Sequence, residues 1–325
     1  MIEFYPKSSY IGLDIMPFVK EKFHIEEETL AFLYVMSALN YTQGQAQRHI
    51  AKGRLLINGE SMTYTGAMIR GEVEMVFFRP KGKGIRPTFQ TKDFMLFEKP
   101  SGTLVHPNTM ATPYSMLDEV RNTAGDNANS THRIDMETSG LLLASKHKKA
   151  ETLLKGAFES RSIKKSYLAW VDGKLTEPFS STERIKVNKE GYEVSKHKVF
   201  IAEDGKASHT DFVPLEYDET LDATLLACYP HTGRTHQIRV HLFHVKHPIL
   251  GDPIYGATYA ASNDYLDMTQ SEEERLIQHG APRLMLHAQS LTFTYGNKFH
   301  IESREDFRAQ KRLIYAPEKR VFNRS

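Results

Sequence analysis

Cysteine is nearly absent from this 325-residue sequence, where Cys228 stands alone. A single thiol excludes an internal disulfide framework and any cysteine-rich zinc site, and it fits a reducing compartment. No stretch reaches the roughly 18 apolar residues of a membrane span, and the opening Met1-Ile2-Glu3-Phe4-Tyr5-Pro6-Lys7 lacks a basic-then-apolar signal pattern. A cytoplasmic protein with no membrane partner is expected. An excess of one charge is also missing: 42 Lys and Arg against 40 Asp and Glu leave a net +2, too little to argue for nucleic acid. Any such case must rest on where the basic residues lie. No Gly-x-x-x-x-Gly-Lys-Ser/Thr occurs, which argues against a nucleoside triphosphate site. No His-Glu-x-x-His occurs, and Ser139 is set in Thr-Ser-Gly instead of the Gly-x-Ser-x-Gly of a hydrolase.

What is present is an ordinary composition, 40% hydrophobic and 25% charged, long enough for one large domain and one small one. The most telling stretch runs from His132-Arg133-Ile134-Asp135 through Met136-Glu137-Thr138-Ser139-Gly140 into Leu141-Leu142-Leu143-Ala144. A carboxylate stationed against a buried strand costs several kcal/mol or shifts its pKa unless it is paired. Asp135 therefore either caps the strand by bonding its own backbone, as Asx turns do, or needs a cation.

Residues 1–25, with Pro6 and Pro17, read as an extended arm. From Glu26 the three glutamates favour a helix start, and Leu30, Leu33 and Tyr34 follow. Gly44 to Gly53 reads as a second helix with Gly53 as its cap. Arg54-Leu55-Leu56-Ile57 then makes a strand turned by Asn58-Gly59. Arg48, Lys52 and Arg54, with His49 among them, form a basic cluster suited to phosphate, or else a solvated face. The element order over about residues 28 to 78 resembles the αL-type RNA-binding domain, in a degenerate form without its usual arginine-leucine-aspartate opening. Residues 26–80 are assigned to it, and Pro80 to Pro87, rich in Pro, Gly and cations, marks a linker over 81–90.

In the remainder, 91–325, Phe94 to Glu98 reads as a strand and Lys146 to Lys165 as a lysine-dense helix with Ala150, Leu153, Leu154 and Phe158 on its apolar side. Lys165 to Asp172 reads as a strand. His241, His244 and His247, with His236 or Asp252, invite a zinc reading. The remote cysteine and the missing zinc motif weigh against it.

Four motifs in order, Glu98-Lys99-Pro100-Ser101-Gly102 with Val105-His106-Pro107, His132-Arg133-Ile134-Asp135 with Thr138 to Leu142, Thr232-Gly233-Arg234-Thr235-His236-Gln237-Ile238-Arg239 with Gly251-Asp252, and Leu286-His287-Ala288, resemble the RluA-type family of RNA pseudouridine synthases over about residues 90 to 300. The resemblance implies an α+β catalytic domain with a mixed, largely antiparallel sheet flanked by helices, preceded here by the small RNA-binding domain. It implies isomerisation of uridine in RNA with no cofactor and no metal, on ribosomal RNA first and transfer RNA second, by a monomer. By the same match Asp135 is the reacting carboxylate, required in its charged form. It could attack the ribose, attack the base or take a sugar proton. Arg239 is its expected bidentate partner, with Arg234 the second choice and otherwise a phosphate contact. Tyr167 is the active-site tyrosine that stacks on the base. Arg133 fills the gap left by a flipped uridine, and His236 joins the substrate contacts. Thr138 and Ser139 are expected to orient the Asp135 loop. The acidic stretch from Ala260 to Pro282 reads as a surface excursion. The rival readings are a non-catalytic RNA binder and a metal-dependent hydrolase.

Overall fold

The computed structural model describes residues 16–187, 198–267, 269–316, 318 and 320. Its contacts divide the chain into two compact units, Met1–Gly82 with Pro107–Tyr114, and Lys83–His106 with Ser115–Ser325.

In the first unit the strands are β1 (Phe18–Leu30), β2 (Leu55–Ile57), β3 (Glu60–Met62) and β4 (Met68–Phe78), in the antiparallel order β1-β4-β2-β3, with helices α1 (Ala31–Leu39) and α2 (Gln43–Ala51). The helix expected from Glu26 is therefore corrected: residues 26–30 end a strand that begins inside the expected arm. Phe23 and Ile25 point inward while Lys22, His24 and Glu26 are exposed, a period of two that pairs along β4. The register shifts between Ile25 and Thr29, so the three glutamates occupy a bulge. Pairing with β4 outweighs the local preference of glutamate for a helix start, and α1 opens only at Ala31. Residues 1–15 of the expected arm lie outside the described residues. The second helix and the Asn58-Gly59 hairpin form where the sequence puts them, with Ala46 and Ile50 of α2 buried against Leu55, Val73 and Met75.

The second unit holds β5 (Phe89–Gln90), β6 (Phe94–Lys99), β7 (Asn129–Ser130), β8 (Ser139–Ser145), β9 (Lys164–Asp172), β10 (Phe179–Ser181), β11 (Ile185–Val187), β12 (Val199–Ile201), β13 (Thr210–Asp218), β14 (Ala223–Pro230), β15 (Leu286–Tyr295) and β16 (Asn297–Glu302). Its helices are α3 (Met116–Ala124), α4 (Lys148–Glu159), α5 (Gln237–His244), α6 (Tyr259–Leu266) and α7 (Glu272–His279). The main sheet runs β10-β13-β14-β9-β15-β8-β6-β5, with β16 on β15 and β7 on β8. Every pairing in it is antiparallel except β15 with β8, so the expected mixed α+β architecture is present. The linker expected to reach residue 90 ends sooner, because Phe89 and Gln90 already pair with Leu96 and Met95.

Central strands carry buried apolar runs, such as residues 141–144 of β8 and 169–171 of β9, because both faces of the sheet are covered there. All of Ser139–Ser145 is buried, and Trp170, Leu226, Leu242 and Leu286 share one core cluster. The single parallel contact, His287 to Ser139 and Ala288 to Gly140, brings the backbones so close that a side chain at Gly140 would meet the Ala288 amide nitrogen at 2.7 Å. At Gly251, φ is +75° and a Cβ would collide with the Arg283 carbonyl. Only glycine fits there, and it delivers Asp252 to the interior. Gly251→Ala is expected to cost more than about 2 kcal/mol of folding stability. A urea titration that finds it within error of the parent would show that the close approach is not required.

Among the described residues no helix is long and apolar enough to cross a membrane.

Candidate active site

The loop between β7 and β8 carries Asp135. Its first residue, Thr131, donates both its amide (3.0 Å) and its hydroxyl (2.9 Å) to the Leu143 carbonyl. His132 follows as a peg: Nε2 accepts the Leu143 amide at 3.0 Å, and the ring stacks on Phe158 of α4 with centroids 4.4 Å apart. Burial, aided by Lys165, pushes the His132 pKa down to about 3, so the ring is neutral. On the other side the fully buried Lys99 ammonium donates to the carbonyls of Pro100, Thr103 and Met136 at 2.7 to 2.8 Å. Burial pushes its pKa down to about 7, against the opposing pull of Glu137 and Asp135.

Glu137 is the third fastening. Ser101 donates to its carbonyl at 2.6 Å, while Tyr265 of α6 and Arg275 of α7 each reach its carboxylate at 2.7 Å. The stretch from Ala260 to Pro282, expected to be a surface excursion, thus forms two helices that hold the Asp135 loop. Nothing in the composition of that acidic segment signalled which inward residues would do so. Thr138 closes the loop through its amide to the Asp135 carbonyl at 3.1 Å. Ser139 instead directs its hydroxyl to His287 Nδ1 at 2.9 Å and accepts from Arg283 at 3.1 Å.

Opposite Asp135 stands Arg239, on the inward side of α5. The helix is placed by its motif: Gln237 Oε1 accepts from the Thr232 hydroxyl (2.6 Å) and the Arg234 amide (3.0 Å), and Gln237 Nε2 donates to the His209 carbonyl and the Thr210 hydroxyl. Arg239 is buried and gives Nε and Nη2 to Asp252 at 2.7 and 2.8 Å; only Nη1 goes to Asp135, at 3.3 Å. This corrects the expected bidentate pair. The fork is taken by Asp252, and Asp135 receives one hydrogen bond. Two backbone amides, of Ile254 and Tyr255, complete Asp252 at 2.9 and 3.0 Å. Burial opposes charge on both partners, but their attraction wins: the Asp252 pKa is held below the usual range and that of Arg239 rises.

The other expected residues divide. Arg234 turns away, donating Nε to the Ala207 carbonyl at 3.0 Å. His236, at φ 51° where α5 begins, sets Nδ1 3.2 Å from the Tyr255 hydroxyl and Nε2 4.0 Å from Asp135. Tyr167 lies on β9 between Cys228 and Ala288; burial, then the charge of Asp135, push its phenol pKa up, so it keeps its proton. Arg133 is exposed. In the first unit Arg48 and Lys52 are exposed, while the Arg54 guanidinium lies over the Phe18 ring at 5.3 Å. His49 does not join their basic face. It is buried between Tyr41 and Phe77, and burial, then Arg54, lower its pKa to about 4.

The histidines weighed for zinc do not converge. His241 bonds Thr210 and Ser208, His247 bonds the Asp172 carbonyl, and Asp252 is filled by Arg239. Among the described residues a different group, His209, Asp211 and His231, brings one possible ligand atom from each residue within 4.8 Å of the others.

A mixed sheet with helices on it, an interior Arg–Asp pair and a second, partly exposed aspartate define the class, and comparisons with known proteins agree. The family model for RNA pseudouridylate synthase matches residues 93–244. A Helicobacter pylori RNA pseudouridine synthase is 38% identical over 281 residues, 86% of this chain and 91% of its own. The ribosomal large subunit pseudouridine synthase D of Nitrosomonas europaea is 32% identical over 212 residues, 64% of this chain and 57% of its own. In fold, the structure of human RNA pseudouridylate synthase domain containing 1 superposes with a TM-score of 0.55 at 24% identity, covering 70% of this chain and 86% of that one. The chain belongs to the RluA-type family of RNA pseudouridine synthases, isomerases acting on RNA uridines.

Proposed function

We propose that the protein isomerises defined uridines of large-subunit ribosomal RNA, with Asp135 as the reacting carboxylate. The observation that carries this reading is the division of Arg239. Two of its N–H groups are committed to buried Asp252 and one reaches Asp135, whose side chain keeps 27% of its surface exposed. A carboxylate so held is fixed in place and partly neutralised while open to a ligand. The Tyr167 ring offers a stacking face, and its phenol keeps a proton beside Asp135. Arg133, exposed two residues before Asp135, is available to occupy the space of an extruded nucleotide.

The ribosomal choice draws on the name of the Nitrosomonas relative and on the spread of basic residues. Arg48 and Lys52 in the first unit, and Lys148, Lys149 and Lys164 in the second, are exposed and separated in sequence, which suits a broad folded RNA. The degenerate αL-type domain would add affinity and target choice, and the chemistry would stay with the second unit. Cys228 is buried and unpaired, in keeping with a cytoplasmic setting.

Mapping pseudouridine across all stable RNAs, with and without the gene, tests this. One or a few positions in large-subunit ribosomal RNA are expected to lose the modification. A loss confined to transfer RNA would refute the ribosomal choice and leave the activity standing. No loss anywhere, with purified protein also inactive on bulk RNA, would favour a binder that performs no chemistry.

A further inference from the structure

His209 and His231 face each other where the β13–β14 ladder ends. Thr210 pairs with Pro230 and Asp211 with Tyr229, and the His231 amide donates to the His209 carbonyl at 3.0 Å. The two imidazoles stack, with centroids 4.3 Å apart and planes 21° from parallel. Asp211, two residues along β13 and so on the same face, places Oδ1 2.9 Å from His209 Nε2 and Oδ2 2.6 Å from His231 Nε2. One ligand atom from each residue lies within 4.8 Å of the others.

We propose that His209, Asp211 and His231 bind a divalent transition metal, with Zn2+ the best match, at a site that takes no part in the isomerisation. Two imidazole nitrogens and one carboxylate oxygen are the donor set of zinc and its neighbours, whereas Mg2+ and Ca2+ prefer all-oxygen shells. The side chains keep 41%, 38% and 52% of their surface exposed, so water can complete the coordination. The site is preorganised. Asp211 is held in β13, His209 and His231 directly flank the strand ends and are joined by their own backbone bond, and the Ser180 hydroxyl donates to Asp211 Oδ1 at 2.6 Å as an outer support. Gln237 Nε2 fixes the His209 carbonyl, and the Thr232 hydroxyl oxygen accepts the His209 amide, each at 3.0 Å.

The alternative is a surface trio in which one carboxylate merely bridges two rings through protons. A metal would replace those protons and cross-link the two strands one residue before Thr232, where the loop leading to α5 begins. The ligands lie on two separate stretches of sequence; His209 meets the motif from Thr232 to Arg239 through its backbone, to Gln237 and Thr232, while its ring faces Asp211 and His231.

The test uses the full chain, stripped with a chelator and dialysed against Zn2+, with metal counted by elemental analysis and stability followed by thermal melting. One Zn2+ per chain is expected, with a zinc-dependent rise in melting midpoint. His209→Gln and His231→Gln should each weaken binding at least about tenfold, since even outer-shell changes at metal sites cost that much, and should abolish the zinc-dependent rise while melting normally without metal. No bound zinc at submillimolar concentration would overturn the proposal. So would undiminished binding in both variants, which would place the metal on others among the 15 histidines.

Discussion

Asp135→Asn is expected to lower pseudouridine formation by at least about a hundredfold, ~2.7 kcal/mol of transition-state stabilisation, with folding and RNA affinity nearly intact. The exchange keeps the side-chain shape and removes the charge. The fold does not depend on that charge, because Arg239 gives the Asp135 carboxylate one long, 3.3 Å bond and keeps its bidentate hold on Asp252. Loop position is likewise secured elsewhere, by His132, Lys99, Ser101 and Glu137. The measurement is loss of the uracil C5 hydrogen from labelled RNA, since that hydrogen must leave when carbon 5 joins the ribose, with a filter-binding titration alongside. Turnover above about a hundredth of the parent's would remove Asp135 from the reacting role.

The second large effect falls on stability. Asp252→Asn leaves the Arg239 guanidinium, 3% exposed, without the carboxylate that balances it, and breaking a buried pair from one side typically costs about 3–5 kcal/mol. Activity should fall as well, since a guanidinium no longer fixed by Asp252 can swing onto Asp135 or leave it. Removing both charges, in Asp252→Leu with Arg239→Met, should recover part of the stability and none of the activity. Recovery will be partial because Asp252 also accepts the Ile254 and Tyr255 amides. A urea midpoint for Asp252→Asn that implies less than about 1 kcal/mol would show that the pair is not a structural requirement.

Much of the site could be read from the chain because its parts are local. Asp135 lies within a run that turns polar residues into a buried strand. Thr232 to Arg239 forms a loop and one turn of helix whose fastening, Gln237 onto Thr232 and Arg234, spans five residues. Gly251 and Asp252 are adjacent, one permitting the approach that the other uses. Local signals misled where pairing partners were remote. Glu26 to Glu28 look like a helix start until β4, more than forty residues later, takes them into a strand. His49 looks like part of a basic face until Tyr41 and Phe77 enclose it.

The sequence by itself determined the order of motifs and, with a single cysteine, left no internal disulfide framework; through the resemblance those motifs carry, it implied the α+β class and pointed to Asp135 and Arg239 as the residues to examine. Tertiary structure decided which carboxylate receives the Arg239 fork. It also recruited Tyr265 and Arg275 to Glu137, and set His231 against His209 across two strands. Those outcomes depend on distances between groups 13 to 138 residues apart. Burial then determines which of the competing charges is satisfied, because in the interior an arginine must give its best geometry to the partner that cannot reach water.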